Sequence, residues 1–138
     1  MNYVEVKGGN KFQKEVAVKV VNFMIKELLP RVRTLDITVA IKPKLADEAV
    51  GYCDMGDNNR EFTIEVDKTQ SLKDFVTTLT HEMIHVKQYY RKEMNPYDHA
   101  WKGRKVKEDM GYMELPWEKE AWKLQDKYAQ MVWDADIL

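Results

Sequence analysis

The apolar residues of this chain change their period several times, and each change marks an element. Between Phe12 and Leu29 the polar residues Glu15, Lys19, Asn22 and Lys26 step by four, three and four. That spacing draws one exposed stripe on a helix, and Val16, Ala17, Val20, Val21, Phe23, Met24 and Leu28 cover the rest. So wide an apolar face predicts a helix laid on a sheet, and Pro30 ends it. From Thr34 to Ile41 the period drops to two. Leu35, Ile37, Val39 and Ile41 alternate with Asp36, Thr38 and Ala40, which predicts a half-buried strand. Two more strands are predicted at Ala49 to Met55 and Glu61 to Val66. The short turn cluster Gly56-Asp57-Asn58-Asn59 joins them as an antiparallel hairpin.

Ser71-Leu72-Lys73-Asp74 has the form of a capped helix start. Leu72, Val76, Leu79, Met83, Val86 and Tyr90 then repeat at alternating steps of four and three. His81 and His85 fall about 180–220° round from that stripe, beside Asp74, Thr77, Thr78 and Gln88. A last stripe of Trp117, Ala121, Leu124, Tyr128 and Met131 follows Pro116, a residue suited to the first helical turn. Ahead of the first helix, Gly8-Gly9-Asn10 reads as a flexible break after a short N-terminal segment. The stretch from Lys92 to Pro116 is irregular, and its pattern leaves Trp101 to Val106 open between a hairpin and a helical turn. The expected fold is α+β, one domain over 1–138. A three-stranded, mostly antiparallel sheet is flanked by the first helix and the His81 helix, and a C-terminal helix closes over the histidines.

Composition changes this picture little. Of 138 residues, 44% are hydrophobic and 33% charged, an ordinary balance for a soluble domain. A net charge of -1 gives no basic field to attract nucleic acid, which is not an expected partner. The basic runs Arg91-Lys92 and Lys102 to Lys107 read as solvated surface. Cys53 is the one cysteine, so no disulfide closes within the chain, and it reads as a small strand residue. Met1 to Lys7 lacks the form of a signal peptide and no run reaches membrane-spanning length, so the expected location is a cytoplasm, with no membrane partner.

The candidate chemistry lies at His81-Glu82-Met83-Ile84-His85. Histidines four apart stand one above the other on a helix, so both imidazoles can reach one Zn²⁺. Glu82 stands beside them as the general base that takes a proton from water and passes it to a leaving amine. A catalytic zinc site needs a third protein ligand and one open position. The third histidine of metzincins is absent, because Gln88 stands where that motif needs Gly and Arg91 where it needs His. His99 and the acidic residues Glu114, Glu118 and Glu120 remain as candidates. Tyr97, Tyr112 and His99 could each donate a hydrogen bond to the oxyanion of a tetrahedral intermediate, although rim packing is the plainer role for each. Trp101, Trp117, Trp122 and Trp133 read as core residues.

His81 to Gln88, followed by Trp101-Lys102-Gly103 and Pro116-Trp117-Glu118-Lys119-Glu120-Ala121, resembles the small SprT-like peptidases of tailed bacteriophages. The resemblance covers roughly residues 60–125. It implies a minimal gluzincin, in which a zincin-like domain carries its third zinc ligand on the helix after the motif helix. If the chain is phage-encoded, the compartment is the host cytoplasm. In gluzincins similar to this chain the ligand is the first Glu of Glu-x-x-Ala, which maps to Glu118 with Ala121 completing the motif. The His-Gly segment of cellular SprT-type proteases is not reproduced at His99-Ala100.

Helical-wheel positions agree. Glu118 neighbours Ala121, Trp122, Ala129 and Val132, where an unpaired carboxylate is costly. Glu120 neighbours Lys123 and Lys127, as a solvated surface charge does. The expected activity is a zinc-dependent peptidase acting on a peptide or protein, with the strand Glu61 to Val66 as the edge that pairs with extended substrate. Two other readings are a zinc-stabilised binding protein, closed by a fourth ligand such as His99, and a SprT-type protease associated with DNA.

Overall fold

The computed structural model describes all residues 1–138. Strand β1 (Tyr3–Gly8) leads into helix α1 (Lys11–Leu28), then β2 (Asp36–Lys42), β3 (Gly51–Met55) and β4 (Glu61–Asp67). Helix α2 (Leu72–Tyr90) follows. Three two-residue strands, β5 (Met94–Asn95), β6 (Ala100–Trp101) and β7 (Arg104–Lys105), lead to helix α3 (Pro116–Asp134). The class is α+β, but the main sheet differs from the expected one. It has four strands in the order β1-β2-β4-β3 and is mixed. β1 pairs parallel with β2, β2 pairs parallel with β4, and only β3 and β4 run antiparallel.

The N-terminal segment is therefore a strand rather than a tail. Val4 and Val6 are half-buried, and Tyr3 and Glu5 face solvent. A parallel partner for β1 exists only after α1 has crossed over, so nothing local signals the pairing. Gly8-Gly9-Asn10 is a built turn rather than a loose break. Gly8 has φ +78°, and a Cβ there would meet the Ile41 carbonyl oxygen at 2.2 Å. Asn10 caps α1: its side chain accepts from the Gln13 N–H at 2.8 Å, and the Gln13 side chain accepts from the Asn10 N–H at 3.0 Å.

A second correction concerns the strand Glu61 to Val66. It lies inside the sheet, paired on both sides, and offers no free edge to a substrate. The outer strand on that side is β3.

The exposed stripe of α1 is as expected: Glu15, Lys19, Asn22 and Lys26 all face solvent. Its buried residues meet Ile37, Val39, Ile41, Phe62, Ile64 and Val66 from the sheet in one core. Val76, Leu79, Met83 and Val86 of α2 join that core, whereas Leu72 at the start of the stripe is exposed. Ser71 caps α2 by accepting from the Asp74 N–H at 3.1 Å.

Residues 81–86 are all buried, because α3 covers the side of α2 that faces away from the sheet. The buried face of α3 is Glu118, Ala121, Ala129 and Val132, with Gln125 half-buried among them. This face is rotated from the expected stripe, in which Trp117, Leu124, Tyr128 and Met131 are only half-buried. None of the four tryptophans enters the core. Trp122 is 44% exposed and Trp133 36%, and Trp101 and Trp117 are half-buried. The stretch Trp101 to Val106 resolves as a hairpin, with Gly103 at φ +84° in its turn. No helix is long and apolar enough to cross a membrane.

Candidate metal centre

The histidine side of α2 meets the polar start of α3. His81 Nε2 lies 3.1 Å from one carboxylate oxygen of Glu118, and His85 Nε2 lies 3.1 Å from the other. The three side chains form the one buried group with metal-ligating spacing, their ligand atoms all within 4.8 Å of one another. The other candidates stand elsewhere. His99 packs edge-on against Trp117, with ring centroids 5.2 Å apart, and is not brought to the cluster. Glu114 is exposed. Glu120 is not the free surface charge its neighbours Lys123 and Lys127 suggested. It is half-buried and accepts from Lys87 Nζ at 2.7 Å and from Gln88 Nε2 at 3.1 Å.

Two glutamines orient the histidines. His81 Nδ1 faces Gln125 Oε1 at 2.8 Å, and His85 Nδ1 faces Gln88 Oε1 at 2.7 Å. An amide oxygen can only accept, so each Nδ1 carries the proton and each lone pair sits on Nε2, facing Glu118. Two imidazole lone pairs and a carboxylate thus converge in a buried space. They repel one another unless protons or a cation stand between them. Each imidazole stands 3.1 Å from a different oxygen of the one carboxylate, so Glu118 faces both Nε2 atoms at once. Two imidazole nitrogens and a carboxylate this close together could hold a metal ion. The helical wheel puts Gln88 on the histidine side, but the sequence pattern assigns an orienting role to neither Gln88 nor Gln125. Their signals are spacing: Gln88 lies three residues after His85, and Gln125 seven after Glu118, both on the same helix face.

Electrostatics follow from burial and these contacts. Burial alone would raise the Glu118 carboxyl, but in the metal-free site hydrogen bonds from His81 and His85, donated when their Nε2 atoms are protonated, outweigh it and bring the group down to about 2. Burial would lower His85, yet the Glu118 carboxylate raises it. Glu82 is pushed up to about 6, mainly by burial and despite the nearby histidines. Burial also holds the Cys53 thiol protonated, with Glu82 and Asp54 adding to the effect.

Glu82 stands against the outer strand. A Cβ on Gly51 would meet Glu82 Oε2 at 2.9 Å and Thr78 Cγ2 at 2.6 Å, so only glycine lets β3 pass this close to α2. A cleft of about 590 Å³ opens on one side of Glu82 and His81, and a smaller space of about 130 Å³ on the other, beside His85 and Glu118. Gly51, Tyr52, Glu82 and Tyr112 line both. Of the candidate oxyanion donors, only Tyr112 is brought to the site. Burial and then the Glu118 charge raise its phenol. Tyr97 is 79% exposed and lines neither space.

A scan against protein-family models finds no match, and searches of curated proteins and of solved structures find none either.

Proposed function

We propose that the protein is a zinc-dependent peptidase of the minimal gluzincin type, with His81, His85 and Glu118 as metal ligands and Glu82 as general base. The observation that carries this reading is the convergence of His81 Nε2, His85 Nε2 and the Glu118 carboxylate at 3.1 Å contacts, with Glu82 beside them on an open cleft. Two histidines and one carboxylate are the ligand set of catalytic zinc, which keeps one position for water or substrate. Zinc in such a site acidifies water and polarises a carbonyl. The chain's own residues do the rest. Glu82 takes a proton at its carboxylate and returns it to the leaving amine, and a value near 6 suits a group that must hold and release a proton close to neutrality. The free edge of β3 can pair with an extended peptide backbone. Tyr112, at the junction of the two spaces, is placed to donate to a developing oxyanion. The resemblance to SprT-like phage peptidases points the same way.

The test is metal analysis of the purified chain, together with hydrolysis of unfolded protein by the wild type and by Glu82→Gln. The variant should keep its zinc and lose turnover. Unchanged turnover in Glu82→Gln would sink the mechanism.

A further inference from the structure

The larger cleft runs along α2 from the metal centre toward the helix start. Asp74 precedes His81 by seven residues, two turns on the same face, so its carboxylate stands about 10 Å up the helix from the first histidine. Glu48 lines the cleft from the segment ahead of β3. No lysine or arginine lines it. The ion pairs of the chain are Lys42–Glu65, Lys87–Glu93 and Lys87–Glu120 outside the metal centre, so no cation of the protein itself neutralises Glu48 or Asp74. The third carboxylate is Glu82, 6% exposed and without a hydrogen-bond partner, turned toward the cleft beside Gly51. The walls are apolar and open: Val50 is 52% exposed, Tyr112 58% and Trp122 44%, and all three border this space.

Walls with three aromatic side chains, Tyr52, Tyr112 and Trp122, unpaired carboxylates and no lysine or arginine match one kind of side chain, a long aliphatic stem carrying a positive head. The stem covers apolar wall, and the head reaches a carboxylate or an aromatic face. Away from the metal centre an acidic side chain would meet the like charges of Glu48 and Asp74, which costs affinity. We infer that this cleft is a specificity pocket for a lysine or arginine of the substrate, next to the bond that is cut. Glu48 and Asp74 are its charge-selecting residues, and Trp122 and Tyr112 its walls. The inference rests on the peptidase reading and adds the substrate class.

The experiment is a digest of an unfolded protein mixture by the zinc-loaded full-length chain, with the new product ends sequenced by mass spectrometry. Lys and Arg should be enriched at one position flanking the cut, on the order of tenfold over Asp and Glu. The double variant Glu48→Lys/Asp74→Lys should reverse that order in favour of acidic residues. Cleavage with no basic enrichment, or a double variant that cuts with the wild-type preference, overturns the inference and leaves the peptidase reading standing. A zinc-loaded wild type that cuts nothing removes the peptidase reading itself, and this inference with it.

Discussion

Gln88 holds His85 from a position with no freedom. Its side chain is 0% exposed, and its Oε1 lies 2.7 Å from His85 Nδ1. Its Nε2 donates to the Trp117 carbonyl at 3.0 Å and to Glu120 at 3.1 Å. Both acceptors require the NH₂ end, so the amide can face His85 only with its oxygen. Trp117 directly precedes Glu118, so Gln88 ties one candidate ligand on α2 to the backbone beside another on α3. Gln125 makes the reciprocal link from α3 to His81 at 2.8 Å.

Gln88→Leu and Gln125→Leu should therefore weaken zinc binding by about 10–100-fold, the usual loss when the hydrogen bond that orients a ligating histidine is removed. Gln125→Glu keeps an acceptor and should retain most of the affinity. Chelator competition on the folded variants checks this. Wild-type affinity in both leucine variants contradicts the role of the glutamines.

Removing Glu118 should cost more than removing either glutamine. Glu118→Ala takes away one of the three proposed ligands and should lower zinc affinity by well over about 100-fold, while His81 and His85 keep their glutamine partners. Glu120→Ala should act only through Gln88 and fall within the 10–100-fold range or below it. The same competition assay ranks the two, and an equal effect would argue against Glu118 as the ligand.

Stability of the metal-free protein should depend on pH in a direction set by three groups. Glu118 is depressed from 4.5 to about 2, so its contribution is present above pH 4.5 and is lost as pH falls toward 2. Glu82 is raised from 4.5 to about 6, so its contribution is complete below pH 4.5 and is lost as pH rises through 6. His85 is raised above 6.5, so its contribution is present below 6.5 and is lost on further rise. The metal-free chain should be most stable between about pH 4 and 5 and weaken through neutrality, the Glu82 part being about 2 kcal/mol. Zinc should reverse the trend, because its ligands must shed protons and it binds more tightly as pH rises. Urea midpoints at pH 4.5 and 8, with and without zinc, read both trends. A metal-free chain more stable at pH 8 contradicts the assignment.

Gly51→Ala should separate catalysis from metal binding. The atoms nearest the added methyl are Thr78 Cγ2, Glu82 Oε2 and the Glu65 carbonyl oxygen, rather than His81, His85 or Glu118. It should destabilise the fold by about 1–3 kcal/mol through overpacking. It should also displace the Glu82 carboxylate, lowering hydrolysis by up to about 100-fold with zinc affinity unchanged. Full activity in a folded Gly51→Ala protein would show that Glu82 tolerates the displacement.

The local elements are legible in the amino-acid sequence. Amphipathic periods locate α1, β2, β3, β4 and α2, and Ser71 marks the start of the motif helix. His81 and His85 share a helix face by spacing alone, and Glu118 stands out as an acid on an apolar flank of α3. These features can be read locally because side-chain direction in a helix or strand depends on residues a few positions apart.

Long-range pairing decides the rest. β1 is a strand, and β4 lies in the sheet interior, because parallel partners meet only after a crossover. The free edge therefore passes to β3, and Gly51 to the side of Glu82. Glu120, which reads locally as a surface acid, is drawn to Lys87 and Gln88 by the packing of α3 on α2. The convergence of His81, His85 and Glu118, and the glutamines that aim them, join residues up to 44 positions apart. Period and propensity carry no information over that distance. Only the crossing of two helices sets it.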